Sequence, residues 1–143
     1  MALLDLRLQN FRSYKDEPFE LSPGVNIIVG PNASGKTNLL EAILVLARGS
    51  SYRAKDPELV KFGAEWARLD AHDQDGKPRT VKLQCHPNGT CRKSFEIDEK
   101  VYLRLSQQKS LPLVLFEPNH LLMLSGSPEL RRAYLDEIGR AHV

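Results

Sequence analysis

Eight consecutive residues, Gly30-Pro31-Asn32-Ala33-Ser34-Gly35-Lys36-Thr37, match the pattern G-x-x-x-x-G-K-[ST] in full. The two glycines allow the backbone to curl closely around an anion, so that several N–H groups can meet phosphate oxygens at once. Lys36 is placed to bridge the β- and γ-phosphates, and the Thr37 hydroxyl is a suitable Mg²⁺ ligand. The pattern therefore predicts a site for a nucleoside triphosphate with Mg²⁺.

The elements predicted on either side of this loop support the same interpretation. The apolar run Val25–Val29 predicts a central strand buried on both faces. After the loop, apolar residues at helical spacing predict a helix that ends at Gly49; they are Leu39, Leu40, Ile43, Leu44 and Ala47. The N-terminus of that helix would add partial positive charge at the phosphates. The order strand, loop, helix disfavours the alternative of a chance glycine turn.

The remaining apolar patterns predict further strands and helices. Leucines at positions 4, 6 and 8 alternate with polar residues, which is typical of a strand with one buried face. Other strands are predicted at 19–21, 67–71, 81–85, 95–97 and 111–116, and helices at 57–62, from Pro118 to Met123 and from an N-cap at Ser127 with Leu130, Tyr134 and Leu135 inward. We expect an α/β fold in which a central sheet carries the phosphate loop, with an antiparallel β meander at 65–97 as a side subdomain.

The two cysteines, Cys85 and Cys91, are too few for a disulfide framework. A two-residue type I′ turn at Asn88-Gly89 would place them on opposite faces of a hairpin. We expect both to be small buried hydrophobes in a reducing compartment.

Composition sets the broad class of protein. The chain has 143 residues, 41% apolar and 27% charged, with a net charge of +2, which fits one compact domain or a piece of a larger one. This net charge is too small to indicate nucleic-acid binding as a bulk property. We expect a cytoplasmic protein without a membrane contact, because the sequence shows neither a signal peptide nor an apolar run of about 20 residues.

Hydrolysis of a bound triphosphate is a separate prediction, because it needs a second carboxylate for magnesium and a group that positions water. The nearest candidates are Asp70 and Glu117. Asp70 falls in the meander, where alternation favours a solvated side chain, and Glu117 follows a predicted strand.

Five blocks of sequence follow the pattern of one bacterial family. They are Leu8-Gln9-Asn10-Phe11-Arg12-Ser13-Tyr14, Pro31-Asn32, Lys36-Thr37-Asn38-Leu39-Leu40-Glu41-Ala42, Gly49-Ser50-Ser51-Tyr52-Arg53, and Gly126-Ser127-Pro128 with Arg131-Arg132 and Leu135-Asp136. Together they resemble the N-terminal part of the RecF family of DNA replication and repair proteins, over residues 4–136. The blocks beside the loop also resemble other SMC-like ATPases, whereas the last two indicate RecF.

This resemblance implies residues 1–137 to be the N-terminal half of an ABC-type ATPase head, with ATP held between two protomers of an ATP-dependent homodimer. It implies a mediator that helps RecA load at gapped DNA, or at junctions of single-stranded and double-stranded DNA, together with RecR and RecO. By motif match, Gly30 to Asn38 would hold ATP and Mg²⁺, and Arg12 and Ser13 would lie near the nucleotide.

The residues alone leave several alternatives open. Arg12 and Arg53 could touch the nucleotide or be solvated charges, and Arg131 and Arg132 could contact DNA or simply be exposed. The rival functions are another SMC-like ATPase, a small P-loop kinase or GTPase, and the ATPase subunit of a membrane transporter.

The sequence departs from the family pattern at its end. The family's signature motif, Walker B carboxylates and switch histidine would follow Val143, so we expect no efficient hydrolysis by this stretch alone. The pattern is lost after Asp136, and residues 138–143 are what ATC GGA AGA GCA CAC GTC, part of a common sequencing adapter, would encode. We expect those six residues to be non-native.

Overall fold

A computed structural model describes residues 2–31, 33, 35–116 and 128–141, without the side chains of residues 130 and 141. The chain divides into two compact units, Met1–Ser110 and Leu111–Val143. The first unit contains six strands and two helices: β1 (Leu3–Phe11), β2 (Tyr14–Glu20), α1 (Lys36–Arg48), α2 (Asp56–Leu59), β3 (Trp66–Asp73), β4 (Pro78–Cys85), β5 (Cys91–Ile97) and β6 (Lys100–Tyr102). The second contains α3 (Pro128–Ala141).

All six strands form one antiparallel sheet in the order β2-β1-β3-β4-β5-β6. The expected meander is therefore not a side subdomain, because β1 pairs with β3 and joins the first hairpin to it. The predicted strands near residues 4–8, 67–71, 81–85 and 95–97 are confirmed, and the predicted strand at 19–21 is the end of a longer one.

The core lies between one face of this sheet and helix α1. Alternation places the apolar side chains of each strand on the covered face; fully buried examples are Leu8, Leu69 and Val81. Helix α1 presents Val45 and Leu46 to the same core. Its predicted end at Gly49 is confirmed: Gly49 adopts φ 90° and its N–H donates to the Val45 carbonyl at 2.8 Å.

The β4–β5 hairpin differs from the predicted one by a single residue. The His86 carbonyl accepts the Gly89 N–H at 2.9 Å, and the His86 N–H donates to the Thr90 carbonyl. Gly89 has φ 88°. The loop thus has three residues, a turn followed by a left-handed glycine, instead of two. The extra residue shifts the register so that Cys85 lies opposite Cys91, and the two form a disulfide. The expectation of two buried thiols on opposite faces was therefore wrong, since both cysteines are bonded and half-buried.

Two predicted strands are absent from the described residues. Val25–Val29 has no strand partner there, and its side chains are exposed, Val25 to 90% and Val29 to 84%. Residues 111–116 also lie outside any strand. Both segments are apolar enough for a buried strand, but among the described residues neither has a neighbouring strand to satisfy its backbone groups. The helix predicted at 118–123, Glu117 and the Ser127 cap lie outside the described residues.

In the second unit, helix α3 confirms a helix after residue 127. Tyr134 is half-buried and packs edge-on against Phe116, with ring centroids 6.2 Å apart. Leu135, which was expected inward, is 62% exposed. No helix in the described part of the chain is both long and apolar enough to span a bilayer.

Candidate phosphate-binding site

The end of the predicted phosphate loop is held against the β1–β2 turn. Gly35 adopts φ 96° at the start of α1, and its carbonyl accepts the Tyr14 hydroxyl at 2.7 Å. A Cβ at position 35 would lie 2.6 Å from that hydroxyl oxygen, so both the conformation and the space require glycine. Ala33 also has a positive φ, 64°, as expected for a tightly curled loop.

Helix α1 begins directly behind this curl. Its first N–H groups have no acceptors within the helix, which makes its N-terminus a favourable place for an anion. The Lys36 ammonium folds back over the loop and donates to the carbonyls of Gly30 and Pro31. The positive charge of Lys36 therefore lies at the loop, as the motif requires.

A cavity of about 380 Å³ opens beside the loop. It is lined by Ser13, Ala33, Gly35, Lys36, Thr37, Asn38 and Arg53. The structure thus brings Ser13 and the end of the motif to one wall, with the Asn38 amide donating to the Ser13 hydroxyl at 3.2 Å. Asn32 and Ser34, which complete the predicted site, lie outside the described residues.

Arg12 is not among the residues that line the cavity. Its guanidinium binds the Glu41 carboxylate through two hydrogen bonds, Nε to Oε1 at 2.7 Å and Nη2 to Oε2 at 3.0 Å. Its backbone is left-handed, φ 52°, and its N–H donates to the Leu59 carbonyl. Arg12 is thus linked to the cavity wall through Glu41, which also binds the lining residue Arg53.

Glu41 is the buried centre of a cluster that it forms with Arg12, Ser51 and Arg53. Its side chain is 0% exposed and also accepts the Ser51 hydroxyl at 2.6 Å and Arg53 Nε at 3.0 Å. Burial alone would raise the pKa of Glu41, but hydrogen bonds from Arg12, Arg53 and Ser51 outweigh it and lower the pKa to about 2. The carboxylate is therefore ionised at neutral pH.

Sequence reasoning left Arg53 open and did not identify Glu41. Glu41 follows Thr37 by four residues, so the two share one side of α1, but a glutamate in a helix normally indicates a solvated face. One feature of the sequence could have indicated that Glu41 is buried. It lies among apolar neighbours that the structure buries: Leu39, Ala42, Leu44 and Val45.

The other candidates are not among the residues that line the cavity. Asp70, on β3, is bound by both Arg68 and the Thr80 hydroxyl, at 2.7 Å for the latter, on the sheet face that α1 does not cover. Arg131 and Arg132 are exposed on helix α3 of the second unit. Among the described residues, no cluster of three His, Cys, Asp or Glu side chains could hold a metal ion.

Fold and site together define an α/β P-loop ATPase domain. A family model described as an AAA domain matches residues 5–114, and the chain belongs to that family. The match includes the strands of the sheet, the phosphate loop and helix α1.

Within this class, the chain is similar to RecF proteins along nearly its whole length. It is 38% identical to the DNA replication and repair protein RecF of Chlamydia abortus over 139 residues, 95% of this chain and 37% of that protein. It is 37% identical to RecF of Geobacillus kaustophilus over 144 residues, 98% of this chain and 38% of that one. The chain thus spans less than two-fifths of these relatives.

Solved structures of RecF and of an SMC head domain also match this chain. A structure of the recombination mediator protein RecF-ATPrS in the RecFOR pathway matches with a TM-score of 0.76 and 31% identity, covering 98% of this chain and 38% of that one. The SMC head domain from Thermotoga maritima matches with a TM-score of 0.57 and 18% identity, over 89% of this chain and 52% of that one. The SMC likeness concerns the fold alone.

Proposed function

We propose that this chain binds Mg-ATP at the loop formed by residues 30–37. The observation that carries the proposal is the junction at Gly35, where a left-handed turn, the N-terminus of α1 and the Lys36 charge meet at one cavity. Backbone N–H groups would hold the phosphate oxygens, and Lys36 would exchange its carbonyl contacts for the β- and γ-phosphates. Thr37 would be the Mg²⁺ ligand.

We further propose that the chain acts in DNA replication and repair as part of a recombination mediator of the RecFOR pathway. The similarity to RecF proteins supports this role. In the proposal, ATP controls a homodimer on gapped or junction DNA, where RecR and RecO assist in loading RecA. Arg131 and Arg132 are proposed DNA contacts because both are exposed cations on one helix.

The proposal for this stretch is binding, without efficient hydrolysis. None of the described residues that line the cavity is a carboxylate, and the nearby Glu41 is fully engaged by its cationic partners. A carboxylate that completes the magnesium site would therefore have to come from residues other than those described as lining the cavity.

Calorimetry with Mg-ATP tests the binding proposal. We expect saturable binding by the wild type and a loss of roughly 30-fold in Lys36→Ala, because a charge-assisted contact to phosphate is worth about 2 kcal/mol. Lys100→Ala, which removes an exposed lysine on β6, is the control and should bind as the wild type does. Equal affinity of Lys36→Ala and the wild type, or no wild-type binding, would overturn the proposal. A preference for GTP in competition would instead indicate the GTPase alternative.

A further inference from the structure

Two other segments of the chain converge on the carboxylate that Glu41 presents from α1. Arg12 comes from the β1–β2 turn, Ser51 and Arg53 from the loop after α1, and Glu41 from α1 itself. The burial of an ionised carboxylate is unfavourable unless its oxygens are paired. Here both oxygens are paired: each accepts from both arginines, and Oε2 also accepts the Ser51 hydroxyl.

The cluster continues from Glu41 to the wall of the cavity. Arg53 Nη2, besides its contact with Glu41, donates to Asn38 Oδ1 at 2.8 Å, and Asn38 in turn donates to Ser13. All three of these side chains line the cavity beside the phosphate loop. Glu41 does not line the cavity, yet it fixes the Arg53 guanidinium that does.

Rotamer entropy favours release of the Arg53 side chain from the cavity wall. Its side chain is 35% exposed, it belongs to a loop, and an unrestrained arginine gains rotamer entropy in water. The hydrogen bonds to Glu41 oppose that gain. The Ser51 hydroxyl reinforces them, because it accepts the backbone N–H of Arg53 at 3.1 Å while donating to Glu41.

We propose that Glu41 is a positioning residue that holds the Arg53 guanidinium at the wall of the phosphate cavity, where Arg53 supplies a second cation, beside Lys36, to the bound triphosphate. This inference rests on the proposed function. A triphosphate carries several negative charges, and a fixed planar guanidinium binds two phosphate oxygens at once, which a lysine cannot do. Glu41 itself never touches the nucleotide.

A double-mutant cycle measured by calorimetry tests the inference, with Mg-ATP and with inorganic tripolyphosphate as probes. Glu41→Gln keeps the shape of the side chain and removes its charge. We expect it to weaken both ligands roughly tenfold in the wild-type background, but less than twofold in an Arg53→Met background. A purely structural role for Glu41 would weaken binding by the same factor in both backgrounds, and that result would overturn the inference.

Asp70→Asn is the matched control. Asp70, like Glu41, is a carboxylate bound by arginine and hydroxyl donors, with one arginine where Glu41 has two, and it does not line the cavity. We expect Asp70→Asn to leave both affinities unchanged at a comparable shift in melting temperature. If it weakens binding as much as Glu41→Gln does, the effect reflects stability and the inference fails.

Ser51→Ala keeps the test decisive if Glu41→Gln does not fold. It removes one hydrogen bond to Glu41 and the acceptor of the Arg53 N–H, so we expect both affinities to fall roughly threefold. This effect should again disappear in the Arg53→Met background. A Ser51→Ala loss that persists there would overturn the inference. The absence of any wild-type binding would instead remove the proposed function, whereas wild-type binding without these couplings would remove the inference alone.

Discussion

At the scale of single residues, Gly35 joins the phosphate loop to helix α1. We expect Gly35→Ala to abolish measurable Mg-ATP binding and to lower the free energy of unfolding by about 1–3 kcal/mol, because alanine is strained at φ 96° and its Cβ would meet Tyr14. Urea unfolding and calorimetry measure the two effects. Gly24→Ala is the control, since a Cβ there meets nothing within 4 Å. An unchanged Gly35→Ala protein would contradict the described loop geometry.

Glu41 makes a second prediction at this scale, for the dependence of stability on pH. Its pKa, about 2 in the folded protein, lies below the ordinary value of 4.5. Its ion pairs therefore stabilise the fold fully above the ordinary pKa, and this contribution is lost as the pH falls toward the folded value. We expect the difference in unfolding free energy between the wild type and Glu41→Gln to shrink by about 3 kcal/mol between neutral pH and pH 2. A difference that stays constant in urea titrations across this range would contradict the prediction.

At the scale of elements, Arg79 connects β4 to the end of helix α1. Its buried guanidinium donates to the carbonyls of Leu46 at 2.5 Å and of Lys109 at 2.7 Å. We expect Arg79→Met to lower the free energy of unfolding by about 3 kcal/mol, because these carbonyls would lose their partner without regaining water. Arg92→Met, at an exposed strand position, should change it by less than about 0.5 kcal/mol. Equal effects in urea unfolding would contradict this role for Arg79.

The β4–β5 hairpin carries a prediction about its disulfide. Thiol titration of the unfolded protein should find no free thiol before reduction and two afterwards, because Cys85 and Cys91 are bonded. Reduction should lower the free energy of unfolding by about 1–3 kcal/mol, since the crosslink restricts the unfolded chain. A Cys85→Ser/Cys91→Ser variant is the control and should not respond to reductant. Wild-type stability that is insensitive to reductant would contradict the prediction.

The same hairpin shows where sequence reasoning succeeds and where it fails. Alternating apolar residues predicted β3, β4 and β5, because a half-buried strand must expose every second side chain. The pair Asn88-Gly89 predicted a turn but not its length, and one additional loop residue reversed the faces assigned to both cysteines. Turn chemistry is local, whereas register depends on the complete loop.

The candidate phosphate site likewise contains residues that the sequence predicted and contacts that it did not. The motif was enough to predict roles for Gly35, Lys36 and Thr37, because phosphate binding of this kind depends on a continuous local stretch of backbone. The ion pairs of Glu41 with Arg12 and Arg53 span 29 and 12 residues along the chain. A single sequence does not specify such pairs, because tertiary packing alone brings the partners together.

At the scale of the whole molecule, the segment Val25–Val29 presents an apolar surface. Its composition predicts burial, but a composition does not identify the strand that would provide it. Within the described residues no strand lies beside it, and Val25, Ile27 and Val29 are each more than 80% exposed. An exposed segment with apolar side chains and unpaired backbone groups favours pairing with other chains.

We therefore expect this chain to self-associate at micromolar concentration, in a manner that depends on this segment. Ile27→Lys should reduce association, measured by light scattering and sedimentation, because the lysine charge opposes strand pairing. Its melting temperature should stay the same, since Ile27 is 82% exposed. Gln107→Lys adds the same charge at an exposed polar position and should leave association unchanged. If both variants reduce association equally, net charge rather than the exposed segment controls it, and a strictly monomeric wild type would contradict the prediction altogether.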